Sequence, residues 1–131
     1  MTNEWNDAVH EDRLKEMIHL QTELQRRYDH GTFPWEYEGE TRANYIRVNV
    51  LALEDELHEA LREIGWKPWS KTPPGEMNRD AYLDELVDAW HFMMNLLIVA
   101  NCNAEEFFKR YLRKNGVNHS RIDDGYASPT G

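Results

Sequence analysis

Between Asp84 and Leu97 the sequence reads DELVDAWHFMMNLL, a cluster of acids leading straight into the most apolar stretch of the chain. From Ala89 onward, apolar residues occupy nearly every side of a helical wheel. A helix of that kind is buried all round and has to stand at the centre of whatever the chain builds. Asp84, Glu85 and Asp88 are then carried to the border of the core with it. At 131 residues the chain is expected to form one domain around a single core, residues 1–131.

Period and punctuation give three more helices. The first spans about Val9 to Tyr28, with Leu14, Met17, Ile18 and Leu24 apolar, and ends before the loop DHGTFPWEYEG. The second spans about Thr41 to Ile64. It carries Ile46, Val50, Leu53, Leu57, Ala60 or Leu61, and Ile64 at three-four spacing, with Gly65 as its stop. WKPWSKTPPGEMNR follows as a loop, because its prolines and glycine cannot continue a helix. The central helix runs from about Arg79 to Asn101, and Asn103 caps a fourth, AEEFFKRYLRKN. From about residue 116 to 131 no period emerges and an irregular tail is expected. No strand pattern or repeat appears. The fold class is all-α, a bundle of about four main helices.

The acids fall into two pairs. Glu56 and Glu59 in EDELHEAL stand three apart on the second helix, and Glu85 and Asp88 three apart on the third. Residues at that spacing share a face, with Cβ atoms about 5–6 Å apart. Packing of the two helices brings four carboxylates together at the core's edge, where like charges repel strongly. Divalent cations remove the conflict. Mg²⁺ takes an octahedral oxygen shell that substrate phosphates can complete, and two or more ions, with Mn²⁺ as a substitute, are expected here. A solvated acidic face is the plain alternative, and it accounts for Glu54 and Glu63. A second alternative is a di-iron bundle, since Asp55-x-x-His58 and Asp88-x-x-His91 repeat a carboxylate–x–x–His motif. Such bundles use Glu at those positions, and Asp shortens the reach at both. His91 is also a candidate for the wall of a substrate site.

Two further segments supply what the acids lack. In YLRKNGVNHSRIDDGY, Lys114, Asn118 and Arg121 recur at spacings of four and three, and share a face if the helix extends that far. Cations there suit phosphate oxygens, although they also complement a helix C-terminus. In GWKPWSK, Lys67 and Lys71 stand beside Trp66 and Trp69, rings for a base and amines for phosphates, or lids on a small core. Lys plus Arg is 15 against 24 Asp plus Glu, a net charge of −9 that lacks the basic footprint of nucleic-acid binding. The run Phe92–Ala100, broken by Asn95, is too short to span a bilayer. The polar start MTNEWNDAVHEDR lacks a signal region, so a cytoplasmic location is expected.

ELHE, WKPWSK, ELVDAWHFMMNLL and NAEEFFKRYLRKNGVNHSRIDDGY, in that order, resemble the all-α dimeric dUTPase family of MazG-like nucleoside triphosphate pyrophosphohydrolases. The last stretch is also similar to the phage dCTPase–dUTPase branch. The resemblance covers about residues 50 to 126. It implies that Glu56, Glu59, Glu85 and Asp88 hold catalytic metal. Lys114, Asn118, Arg121 and Lys67 would contact phosphate and deoxyribose, and Trp66 and Trp69 would lie near the base. Tyr126 would fold over the site, from a partner subunit in a homodimer. Gln21 is the base-reading candidate, while Gln25 stands where the family has Asn and Ile122 where it often has Gln. The implied reaction is hydrolysis of dUTP to dUMP and pyrophosphate by metal-activated water, with dCTP, alone or beside dUTP, as the alternative substrate. A non-catalytic helical interaction module is the rival from another class.

Overall fold

The computed structural model describes residues 11–73 and 75–125. Among these residues there are four α-helices: α1 (Arg13–Tyr28), α2 (Gly39–Leu61), α3 (Arg79–Val99) and α4 (Ala104–Asp123), with a 3-10 turn at Pro34–Glu36. The class is all-α. Val9 and Tyr126 lie outside the described residues. None of the described helices is long and apolar enough to cross a membrane.

Caps fix three of the helix starts. The Asp12 side chain accepts from Lys15 N at 3.0 Å and opens α1, Asn78 accepts from Ala81 N at 3.4 Å before α3, and Asn103 accepts from Glu106 N at 2.8 Å before α4. Each takes up a backbone N–H that the helix itself leaves without a partner. α3 is the central element, packed along α2 over its most extensive interface and also against α1 and the 3-10 turn. Its residues Ala89, Met94, Asn95, Leu97, Ile98 and Val99 are all buried. Ile18, Met94, Leu97, Ile98 and Ala104 form the apolar core, with Leu14, Trp90, Cys102 and Phe107 packed on it. The core therefore joins α1, α3 and the first turn of α4.

The ends of α2 and α4 differ from the sequence expectation. α2 ends at Leu61 rather than Ile64, because Ile64 is drawn into an antiparallel bridge with Met77. Asn78 N donates to Glu63 O (2.9 Å) and Gly65 N to Glu76 O (3.1 Å), closing the tryptophan loop at its base. Gly65 is thus not a helix stop: a Cβ there would overlap the Pro73 carbonyl, and only glycine lets the two strands of the loop meet. α4 does not give way to an irregular tail near residue 116. It continues through Gly116 to Asp123, since one glycine costs a helix only about 1 kcal/mol.

The stripe on α2 is also rotated from the expected one. Asn49 and Ala60 are the buried residues, while Ile46 and Leu57 are exposed along with Val48 and Leu51. Asn49, Glu56 and Ala60, at spacings of seven and four, form the side that meets α3.

Candidate metal centre and nucleotide pocket

The α2–α3 interface brings Glu56, Glu59 and Glu85 together, with one carboxylate oxygen of each within 4.8 Å of the others. Asp88 follows Glu85 by one helical turn, and its charge acts on both Glu56 and Glu85. Three of the four carboxylates expected from the spacing therefore meet at one point, with Asp88 near enough for its charge to be felt there. Glu56 Oε2 and Glu85 Oε2 are buried and accept no hydrogen bond among the described residues. Native structures rarely leave carboxylate oxygens in that condition without an ion or ordered water to satisfy them.

The electrostatics carry the same message. Burial first, then the adjacent Glu85 carboxyl and the charges of Glu59 and Asp88, push the Glu56 carboxyl from its ordinary 4.5 up to about 7. Glu85 is raised too. The adjacent Glu56 carboxyl pulls it down, but Glu59, burial and Asp88 together outweigh that pull. Without a cation the cluster retains a proton near neutral pH, a substitute for positive charge.

Beside the acids lies a cleft of about 360 Å³ between α1, α2 and α3, lined by Gln21, Leu24, Gln25, Tyr28, Glu56, Asp88, His91, Phe92 and Asn95. Four of the residues singled out from sequence, Gln21, Glu56, Asp88 and His91, meet in its wall. His91 Nδ1 bonds the Val87 carbonyl at 2.9 Å, which orients the ring on α3. The carboxylate–x–x–His reading gains nothing here: the three-carboxylate cluster contains neither Asp55 nor His58 nor His91.

A buried amide network also reaches this cleft, and the site residues chosen from sequence omitted most of it. Gln21, Asn95 and Asn49 are 4%, 3% and 5% exposed, and are joined by bonds of 2.8 Å from Gln21 Nε2 to Asn95 and from Asn95 Nδ2 to Asn49. Asn95 breaks an otherwise apolar run, and a polar group in such a place needs a buried partner. That interruption was the available signal.

The remaining candidates stand elsewhere in the chain. Trp66 and Trp69 are 52% and 78% exposed, and the Lys67 ammonium sits over both rings, 5.2 and 6.0 Å from their centroids. Those three and Lys71 are absent from the cleft's lining. Lys114, Asn118 and Arg121 do share a face, because α4 persists, but all three are exposed. Among the described residues α4 packs on α1 through its first turns, and its basic half is not part of the acid cluster or the cleft lining.

A sequence model of the dUTPase family matches residues 13–107, a span that holds α1, α2, α3, all four carboxylates and the cleft. The chain is 30% identical over 154 positions to a dCTP pyrophosphatase of Enterobacteria phage T4, covering 95% of this chain and 90% of that protein. It is 35% identical over 98 positions to a dCTP pyrophosphatase of Enterobacteria phage LZ5, covering 66% of this chain and 54% of the relative. A DNA replication protein of phage T4 is 29% identical over 143 positions, 86% of this chain and 36% of that protein. No solved structure gives a significant match.

Proposed function

The chain belongs to the dUTPase family, and on that premise we propose that it is a Mg²⁺-dependent nucleoside triphosphate diphosphatase converting dUTP to dUMP and pyrophosphate. The observation that carries this reading is the meeting of Glu56, Glu59 and Glu85, with two buried oxygens lacking partners, at the edge of a base-sized cleft. An all-oxygen donor set of this kind fits a hard divalent cation rather than a soft one. When bound, such a cation supplies neutralising charge and Lewis acidity toward phosphate oxygens.

The chain's own groups then divide the work. Glu56, Glu59, Glu85 and Asp88 anchor the charge on two rigid helices, which keeps the site's geometry fixed through turnover. Glu56 or Glu59 orients the attacking water and takes its proton. Gln21, His91 and the cleft wall hold the base. Lys114, Asn118 and Arg121, together with Lys67 and Lys71 of the tryptophan loop, neutralise the phosphate chain. The α4 residues do so from a partner subunit, an arrangement their exposure on one helix face leaves open. Exposed Val48, Leu51 and Leu57 on α2, and Phe108, Tyr111 and Leu112 on α4, supply apolar surface for that homodimer. The substrate belongs to the deoxynucleotide pool of the cytoplasm.

dCTP is the second reading, favoured by the printed activity of the two phage pyrophosphatases to which the chain is similar. A pyrophosphate-release assay with Mg²⁺ against dUTP, dCTP, dTTP, dATP, dGTP and UTP, with an EDTA control, tests both. Turnover of dUTP that EDTA abolishes is the expected result. Turnover of dCTP alone would move the assignment to the second reading, and folded protein silent on every nucleotide would refute both.

A further inference from the structure

The polar wall of the cleft is tied to one point on α2. The Asn49 amide nitrogen donates to the Tyr45 carbonyl one turn back, at 2.8 Å. A backbone carbonyl can only accept, so this bond decides which way the Asn49 amide faces. Asn49 Oδ1 is then left to accept from Asn95 Nδ2, and Asn95 Oδ1 to accept from Gln21 Nε2. Turning any one amide over would set two like groups against each other in a buried place, where an unmade bond is costly. The Gln21 carbonyl oxygen, at the end of the chain of bonds, has no partner among the described residues.

Tyr45 also governs the next turn of α1. Its hydroxyl donates to Gln25 Oε1 at 2.8 Å, leaving the Gln25 amide nitrogen free to donate. Burial, with Tyr37 beside it, raises the phenol well above its ordinary value, so the hydroxyl keeps its proton. Gln21 and Gln25 both line the cleft, one helical turn apart.

We propose that Tyr45, Asn49 and Asn95 are positioning residues, through which the cleft reads a pyrimidine by an edge carrying a donor beside an acceptor. The amide chain anchored on the Tyr45 carbonyl locks Gln21 as an acceptor, and the Tyr45 hydroxyl, donating to Gln25 Oε1, leaves Gln25 as a donor. Cytosine offers its amino group beside N3, and uracil offers N3–H beside a carbonyl. A base with no donor on that edge is rejected. The inference rests on the nucleotide reading above and adds to it three residues that act on the base through Gln21 and Gln25.

The test measures kcat/KM for wild type, Asn49→Leu and Tyr45→Phe on dCTP, dUTP and the triphosphate of pyrimidin-2-one deoxyriboside, which lacks both donors. Thermal melts check that each variant folds. Wild type is expected to use the analogue at least roughly tenfold less well than the better natural substrate, about the worth of one hydrogen bond. Asn49→Leu narrows that ratio severalfold, and Tyr45→Phe narrows it by less. An analogue used as well as the natural substrates would overturn the proposal. So would one common loss on all three substrates, which is what a merely structural role gives. Should Asn49→Leu fail to fold, Tyr45→Phe, which removes a single hydroxyl, decides. Wild type silent on dCTP and dUTP sinks the nucleotide reading and this inference with it, whereas activity with an unchanged ratio sinks the lock alone.

Discussion

The α2–α3 acid cluster and the C-terminal half of α4 carry opposite charges and are built in opposite ways. Glu56, Glu59 and Glu85 meet across the most extensive helix interface of the chain, with oxygens buried and lacking partners. Lys114, Asn118 and Arg121 stand exposed on a helix whose first turns carry its core contacts among the described residues. The first region is gathered within one chain by helix packing, and the second lies open to solvent. A triphosphate carries charge that both regions can meet, so on the proposed reading the acids hold the cation within one chain and the cations of α4 reach the phosphates from a partner subunit.

Replacing an acid should break the comparison most severely. Glu56→Gln or Asp88→Asn is expected to lower kcat about 100-fold or more, on the scale of losses at preorganised charge sites, with helical circular dichroism unchanged. Loss of helix with activity retained per folded molecule would contradict the assignment. Arg121→Ala should cost less, roughly tenfold in kcat/KM, as a lost charged hydrogen bond does. If α4 serves the partner's site, mixing Glu56→Gln with Arg121→Ala chains raises turnover above what either variant gives alone, because each mixed dimer holds one intact site. Absence of that recovery in a mixed dimer would return α4 to its own chain.

A smaller effect separates the regions by pH. The Glu56 carboxyl sits at about 7 when folded against an ordinary 4.5, so the folded chain holds the proton in between. The stability this group contributes is full below about 4.5 and is lost as pH rises through about 7. In EDTA at pH 8, Glu56→Gln should therefore melt a few degrees above wild type, roughly what 1 kcal/mol gives in a domain this size. Mg²⁺ should raise the wild-type melting temperature more at pH 8 than at pH 5, because cation and proton compete for the same oxygens. Equal shifts at both pH values would place the cation elsewhere. Smallest of all, Trp69→Ala should change stability by less than about 0.5 kcal/mol, because the side chain is largely solvated.

What could be read from the sequence follows from what repeats. The acid pairs were legible because spacing of three on a helix is a geometric statement, and the central helix was legible because its apolar run leaves no other place for it. The positioning residues were not. Tyr45 and Asn49 are single polar residues whose value lies in partners on other helices, and no local period encodes those. The end of α2 was misread because Ile64 keeps helical spacing yet is captured by Met77, a contact across the intervening loop. The length of α4 was not legible because its second half is exposed nearly all round and carries no apolar period, while one glycine costs a helix too little to end it.

The central claim is that Glu56, Glu59, Glu85 and Asp88 exist to bind divalent cations. It is met most directly by electron paramagnetic resonance of Mn²⁺, whose free signal disappears on binding. Wild type with a non-hydrolysable dUTP analogue should remove that signal stoichiometrically, and Glu56→Gln should leave most of it, with both proteins folded. Signal that stays free with wild type, or that Glu56→Gln removes equally well, would contradict the account.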